Sequence, residues 1–347
     1  MRRILITGNM GYVGPVVVKH LRKTLPDAYL MGFDIGYYAR NLTTRGLAPE
    51  SYLDVQYFGD MRNFPEVILK EVDAIIHLAA ISNDPIGNKF ETVTYDINFH
   101  ASENLAKKAK SAGVKKFIFA SSCSMYGAAD EHAKDENSTL NPLTAYAKSK
   151  VRTEEALKNS VGQGFKAICL RFATACGMSD RLRLDLVLND FVASAFVDKH
   201  IKILSDGSPW RPLINVKDMA RAIEWAIGYE PGDDFLAVNV GSSKWNYQVK
   251  SLAETVASLI PGTKIEINKD AAPDKRSYQV NFDKFRKIAP DHLPLHDLNQ
   301  TIQELKQGLS DLDFKDHDFR QSRLMRLNEL EYLRTIKVLN DQLYMSL

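Results

Sequence analysis

The chain has 347 residues, and its 45 Lys and Arg against 43 Asp and Glu leave a formal charge of +2; this balance offers neither a basic field for nucleic acid nor an acidic solvated tail. Apolar residues make up 45% of it and no apolar run approaches the ~20 residues of a membrane span, so a water-soluble globular chain without a membrane partner is expected. The run Ile4-Leu5-Ile6 is too short for a signal peptide, and the three cysteines, Cys123, Cys169 and Cys176, lack CxxC spacing, which argues against a disulfide scaffold or zinc site and for the cytoplasm.

In the first half, short apolar runs alternate with helical periodicity. Arg3–Thr7 reads as a strand, Pro15–Thr24 as a helix and Tyr29–Asp34 as a strand. Val55–Gly59 reads as a strand, Phe64–Lys70 as a short helix and Ala74–Ala79 as a strand. Ala101–Ser111 lies within a helix, Lys116–Ser121 forms a strand, Tyr146–Lys158 a helix and Lys166–Phe172 a strand. Several of these strands are apolar throughout, as strands covered on both faces are. The pattern predicts an α/β fold: a Rossmann-type, doubly wound parallel sheet with helices on both sides.

The second half is less regular. Asp185–Val197 and Asp218–Ile227 read as helices, with loops such as Asp206–Pro212 and Pro261–Thr263 between elements. A cofactor-binding domain over 1–175, to which about 211–240 returns, and a smaller C-terminal substrate-binding portion over 176–347 are expected. Leu324, Leu327, Leu330, Ile336 and Leu339 fall at helical spacing. They predict a helix within Phe319–Leu343, packed on the body or on a second subunit.

Between the first strand and the first helix stands Gly8-Asn9-Met10-Gly11-Tyr12-Val13-Gly14. Glycines there allow a sharp turn and bring backbone N–H groups to a pyrophosphate, while the helix N-terminus favours the anion. Asp34 closes the second strand, where a carboxylate can accept from the adenosine ribose hydroxyls and repel a 2′-phosphate. NAD is therefore the expected cofactor, although Arg40 nearby leaves room for NADP. Further on, Tyr146 and Lys150 stand four residues apart and share one helix face. The eight histidines show no metal-ligand spacing, so no metal is expected, and His77 at its strand end reads as structural.

The run Phe117-Ile118-Phe119-Ala120-Ser121-Ser122-Cys123-Ser124-Met125-Tyr126-Gly127, followed by Asn141-Pro142 and Tyr146-Ala147-Lys148-Ser149-Lys150, resembles the extended short-chain dehydrogenase/reductases that act on nucleotide sugars, the UDP-galactose 4-epimerase-like epimerases and dehydratases. The likeness runs over roughly residues 1–290 and takes in the TGxxGxxG form of Thr7–Gly14, Asp34, Gly59-Asp60-Met61, His77-Leu78-Ala79-Ala80 and Asn98. It implies that Ser122, Tyr146 and Lys150 are catalytic. It implies cofactor contacts at Gly8, Gly11, Tyr12, Val13, Gly14, Asp34, Asp60, Met61, Leu78, Ala79, Ala80, Asn98, Ser121, Tyr146, Lys150 and Phe172. Asn189, Arg211 and Arg276 match positions that grip the nucleoside diphosphate, where an arginine fork suits phosphate.

The chemistry wants these residue types. Removing hydride from a carbinol carbon is easy only if the hydroxyl proton leaves as well. A phenol with a pKa near ~10 accepts it poorly unless a cation such as Lys150 favours the phenolate. The resemblance also defines departures. Family dehydratases carry acids just after the serine, whereas this chain has Cys123 and Ser124, so dehydration ranks low. Cys123 is either a packing thiol or a substrate-side acid. Thr174 replaces an Asn that usually contacts substrate, and in Ser179–Asp185 we read Arg181 as the phosphate or sugar contact and Arg183 as a salt-bridge residue. The leading expectation is an NAD-dependent nucleotide-sugar epimerase acting at C4 through a keto sugar. A one-way reductase or dehydrogenase of a nucleotide-linked keto sugar or heptose comes second, and a non-catalytic cofactor sensor third. Family relatives further imply a homodimer, with helices near Thr92–Ser111 and Ala145–Asn159 forming a four-helix bundle.

Overall fold

A computed structural model describes residues 1–82, 84–128, 132–268, 270–271 and 277–346. Its strands are β1 (Arg3–Thr7), β2 (Tyr29–Asp34), β3 (Val55–Phe58), β4 (Ala74–His77), β5 (Lys116–Ser122), β6 (Lys166–Phe172), β7 (Thr174–Cys176), β8 (His200–Ile203), β9 (Trp210–Asn215), β10 (Phe235–Val240), β11 (Asn246–Gln248) and β12 (Lys264–Ile267). The helices are α1 (Gly14–Thr24), α2 (Asp84–Lys89), α3 (Glu91–Tyr95), α4 (Ala101–Ser111), α5 (Ala145–Ser160), α6 (Val187–Asp198), α7 (Val216–Gly228), α8 (Val249–Leu259), α9 (Asp283–Ile288), α10 (Leu298–Asp311) and α11 (Arg326–Thr335).

Seven strands build one parallel sheet in the order β3-β2-β1-β4-β5-β6-β10. The chain reverses its direction of travel between β1 and β4, and ligands of such sheets bind beyond the strand ends at that switch point. Both faces are covered, which is why Ile4, Leu5 and Ile6 in consecutive positions are all fully buried. On one face Val17, Val18 and Leu21 of α1 pack with Ala220 and Ile223 of α7. On the other, Leu105, Ala106 and Ala109 of α4 pack with Leu157 of α5. The edge strand β10 and the helix α7 belong to this layered body although they lie far along the chain.

The rest of the second half builds a smaller body. A three-stranded sheet β11-β9-β7 and the parallel pair β12-β8 flank a core in which α6, α8 and α10 meet through Val192, Leu252, Val256, Ile302 and Leu305. A fourth cluster is formed by the C-terminal segment. Leu330, Leu333, Leu339 and Leu343 lie on Tyr37, Ile81, Ile86, Phe90, Val93 and Ile97, which are residues of the first half.

Two expected elements differ. Phe64–Lys70 is not a helix but follows one 3₁₀ turn, Met61–Asn63, and contains a second, Glu66–Leu69. Proline at 65 disfavours the helical region for its predecessor, and Phe64 is accordingly at ψ 124°. The C-terminal helix covers only Arg326–Thr335; Lys337 then turns left-handed at φ 58°, and a bridge joins Leu339 to Met345. The helical spacing of Ile336 and Leu339 is thus not used. Ile336 is 43% exposed while Leu339 is buried.

Candidate active site

The C-terminal ends of β1, β2, β4, β5 and β6 open onto one cavity of about 1030 Å³, closed on the far side by residues of the smaller body and of the C-terminal segment. Gly8 crosses the end of β1 at φ +73°, and a Cβ there would stand 2.5 Å from the backbone nitrogen of Ala79. Gly14 packs equally close, since its Cβ would meet the Asn9 carbonyl at 2.2 Å. The Gly8 contact brings the loop down onto the segment that follows β4, the Gly14 contact closes the loop on itself, and Gly8, Gly11, Tyr12 and Val13 reach the cavity wall. Helix α1 starts there with no side-chain cap and no acid in its first turn, which leaves its amide donors for an anion. Asp34 Oδ2 accepts from Met10 N at 2.9 Å and Oδ1 from Gly36 N at 2.7 Å. Burial raises its pKa, and those two bonds oppose the rise. A carboxylate has about four acceptor sites, so two remain for ribose hydroxyls. The loop and this acid fit an NAD-type dinucleotide.

The catalytic face is set by α5. Thr144 caps it, accepting from Ala147 N at 3.2 Å, and Tyr146 and Lys150 project from successive turns into the cavity. Gly127, at φ 62°, lies so close to Asn141 that a Cβ would sit 1.8 Å from its carbonyl oxygen. Together with the bond from Asn141 N to Met125 O at 2.9 Å, this clamps the serine loop against the segment that leads into α5. Ser122 Oγ accepts from Ser124 N at 3.1 Å and donates to Ser124 Oγ at 2.9 Å. Burial raises the Tyr146 pKa, while the Ser122 hydroxyl and the charge of Arg183 pull it back down. Lys150 Nζ donates to Ala120 O at 2.7 Å and lies 5.6 Å from the Tyr146 ring centre. Burial lowers its pKa to about 7, against the opposing charge of Glu154. Beneath them, Glu154 forms a buried pair with Arg171 at 2.7 Å and accepts from Ser121 Oγ at 2.5 Å.

A dinucleotide groove that meets a tyrosine, a lysine and a serine at the end of β5 is a specific arrangement, and the sequence model described as "NAD dependent epimerase/dehydratase family" matches residues 4–241, well over half of the chain. The chain belongs to this family. Its site is an enzyme's, and its cofactor is NAD. Among curated relatives, a putative UDP-glucose 4-epimerase of Methanocaldococcus jannaschii is 29% identical over 254 residues, covering 70% of this chain and 77% of the relative. The UDP-glucuronate 4-epimerase of Thermodesulfobacterium geofontis is 27% identical over 271 residues, covering 74% and 80%. Among solved structures, the Bacillus cereus UDP-glucuronic acid 4-epimerase in complex with UDP-glucuronic acid and NAD superposes with a TM-score of 0.76 at 20% identity, over 89% of this chain and 99% of that one. It shares the fold.

Asp60, Met61, Leu78, Ala79, Ala80, Ser121, Phe172, Thr174 and Arg211 also stand on the cavity wall of this family member. Other expected contacts do not. Gly14 lies behind the loop, packed on Asn9. Asn98 sits in a π turn, Asp96–His100, and spends its amide on both backbone groups of Ile81, bracing the loop after β4. Arg181, read as the phosphate or sugar contact, is 2% exposed and bonded to Glu50 at 2.7 Å, off the cavity. Its neighbour Arg183, read as a salt-bridge residue, does pair with Asp185, yet it lines the cavity and also holds Ser82 Oγ at 2.9 Å. The two arginines are two residues apart, so which one faces the ligand depends on the turn they occupy.

Asn189 is fully buried and ties Gly177 N, Tyr12 Oη and the Arg183 carbonyl together. It braces the wall and does not line it. Cys123 is fully buried too; its thiol points to the Arg171 carbonyl at 3.0 Å, and burial pushes its pKa up. Arg276 lies outside the described residues. His77 bonds Thr7 and Ser102 at 2.7 Å each, and burial lowers its pKa to about 3, so it is a neutral strut. Arg40 lies against the Tyr332 ring at 5.0 Å, off the cavity. Among the described residues no cluster of His, Cys, Asp or Glu could hold a metal ion.

The sequence reading missed Tyr38, Asp84, Lys202, Arg320 and Arg326 on the wall. The only local sign of the last two was the three-residue spacing of Arg320, Arg323 and Arg326, a pattern shared by many solvated helix faces.

Proposed function

We propose that the protein epimerises a nucleoside-diphosphate sugar at C4 of the sugar. One observation carries this reading. Tyr146, Lys150 and Ser122 converge on the cavity, while the two positions after Ser122 hold a buried thiol and a hydroxyl. The site is equipped to move a proton on and off a carbinol oxygen, and neither of the two positions after Ser122 carries a carboxylate to help eliminate water. The likeness to named 4-epimerases supports the same chemistry.

The glycine loop, Asp34 and Lys150 would hold NAD, which when bound would supply the hydride acceptor and donor for oxidation and re-reduction of the carbinol carbon. Tyr146 takes the hydroxyl proton as its phenolate and gives it back on re-reduction. Ser122 donates a hydrogen bond to the reacting oxygen. Lys150, when protonated, favours the phenolate and holds the nicotinamide ribose. Arg211 is suited to the substrate diphosphate, and Thr174 with Arg183 to the sugar. We assign 1–175 with α7 and β10 to cofactor binding and the remainder chiefly to substrate. A homodimer through α4 and α5 and residence in the cytoplasm, where the three buried free cysteines stay reduced, complete the proposal. No helix among the described residues is long and apolar enough to cross a membrane.

The experiment is incubation of the purified protein with nucleoside-diphosphate hexoses and hexuronates. The C4 epimer should form without added cofactor. Stoichiometric consumption of NADH without epimer, or loss of water from the sugar, overturns the reading.

A further inference from the structure

The C-terminal segment lies beyond the family match at 4–241, yet Arg320, Met325 and Arg326 form part of the cavity wall. Arg326 is the unusual one. Its side chain is 2% exposed, with its guanidinium 4.3 Å from the centre of the Tyr38 ring. Nη2 donates to the Arg181 carbonyl at 2.8 Å, and Nη1 is buried with no hydrogen-bond partner. Among the described residues no carboxylate forms an ion pair with it, and Glu329, one turn away, is 3.8 Å from Arg323 instead. The charges of Asp185 and Glu329 act on Arg326 without either pairing with it, and a buried guanidinium with no direct partner for Nη1 is unfavourable unless an anion arrives.

Its neighbours say where that anion would be. The charges of Arg326 and Arg183 both act on Tyr12 of the glycine loop and on Tyr38 beyond Asp34, and all four residues line the same cavity. The cation therefore shares its cavity with the uncapped N-terminus of α1, whose amide donors also call for an anion.

The segment is pinned on the same side. Tyr37 Oη donates to the Leu343 carbonyl, Arg62 Nη1 to the Gln342 carbonyl at 2.6 Å, and Asn41 Nδ2 to the Arg323 carbonyl at 2.5 Å. Arg62 also stacks on Tyr344 at 3.4 Å. The segment thus spans the loops that follow β2 and β3, the two that flank Asp34 and Asp60.

We propose that Arg326 is a cofactor-binding residue: its free Nη1 takes an oxygen of the NAD pyrophosphate, and residues 319–346 form a strap that holds the dinucleotide in place. The proposal rests on NAD binding and is independent of which sugar carbon reacts. An enzyme that returns hydride to its own substrate gains from a cofactor that stays bound.

The test is calorimetry on Arg326→Gln with NAD, ADP-ribose and adenosine, and with a nucleoside-diphosphate hexuronate in the NAD-loaded protein. NAD and ADP-ribose should weaken about 10- to 100-fold, the loss of one charge-assisted hydrogen bond, while adenosine, which lacks the pyrophosphate, binds as before. Wild-type affinity for NAD and ADP-ribose overturns the proposal; if only the hexuronate weakens, Arg326 serves a substrate anion instead. Equal loss for all three cofactor fragments overturns it as well, since that marks damage at the adenosine end. Hydrogen exchange on the unaltered protein is independent of the variant's folding. ADP-ribose should slow exchange across 326–343 several-fold and adenosine should not; equal exchange with both overturns the proposal.

Discussion

The two walls of the cavity are built on different principles. The wall facing the sheet uses the glycine loop, Asp34, Ser122, Tyr146 and Lys150, each within a few residues of a strand end or on one helix face. The opposite wall uses Arg183, Lys202, Arg211, Arg320 and Arg326, which come from separate loops, strands and a C-terminal segment. Local geometry fixes the first wall. Packing between distant segments fixes the second, so its residues are free to differ among enzymes that share the same hydride chemistry.

If the contrast is right, the largest effect comes from the sheet-side wall. Tyr146→Phe should lower turnover on a confirmed substrate by about 10²–10⁴, the usual worth of a positioned acid–base group, with NAD affinity nearly unchanged. Lys150→Met should lose both, because Lys150 neighbours the Tyr146 ring and is the residue proposed to hold the nicotinamide ribose. Single-turnover absorbance of the nicotinamide reads the rate, and a Tyr146→Phe enzyme with wild-type turnover would break the assignment.

Next comes the support beneath that wall. Glu154→Gln leaves Arg171 buried without its counterion, and the two side chains are only 6% and 8% exposed. Destabilisation of about 3–5 kcal/mol is expected, measured as a shift in denaturant midpoint. An unchanged midpoint would mean that water reaches the pair.

The C-terminal wall should respond differently. Leu330 is fully buried in the cluster under the strap. Leu330→Ala removes about 2–5 kcal/mol of packing. If the strap opens by itself, that loss appears as faster proteolysis within 319–346 and faster NAD release, with little change in global melting. A drop in global melting of the full size would show strap and body to be one cooperative unit.

The smallest effect is a pH dependence away from both walls. His296 Nδ1 bonds the buried carboxylate of Asp218 at 3.0 Å, which raises its pKa against partial burial; Glu304 raises it further and Lys217 lowers it. Because the folded value lies above the unfolded one of ~6.5, the stabilisation is complete below that pH and fades as pH rises through the folded value. Melting temperature should fall slightly more steeply as pH rises above about 6.5 than in His296→Gln, for a contribution of about 1 kcal/mol or less. Identical slopes would remove His296 as the source.

The amino-acid sequence by itself determined the alternating layers, the glycine turn, the acid at the end of β2 and the Tyr146/Lys150 face. Each of these is a statement about neighbours in the chain: a glycine where a Cβ would strike Ala79, two residues one helical turn apart, apolar runs that tolerate burial on both faces. Proline at 65 was equally visible and still outweighed by periodicity in the reading of 64–70, because apolar spacing alone does not register a backbone restriction. Tertiary structure alone decided that Arg183 rather than Arg181 meets the cavity, that Cys123 and Asn189 turn into the protein, and that Arg326 returns from a distant part of the chain to the wall of that cavity. A long cationic side chain can reach solvent, a carboxylate or a ligand from one backbone position. Which of these it reaches follows from what the other segments bury beside it, as Glu50 does for Arg181 and Asp185 with Ser82 for Arg183.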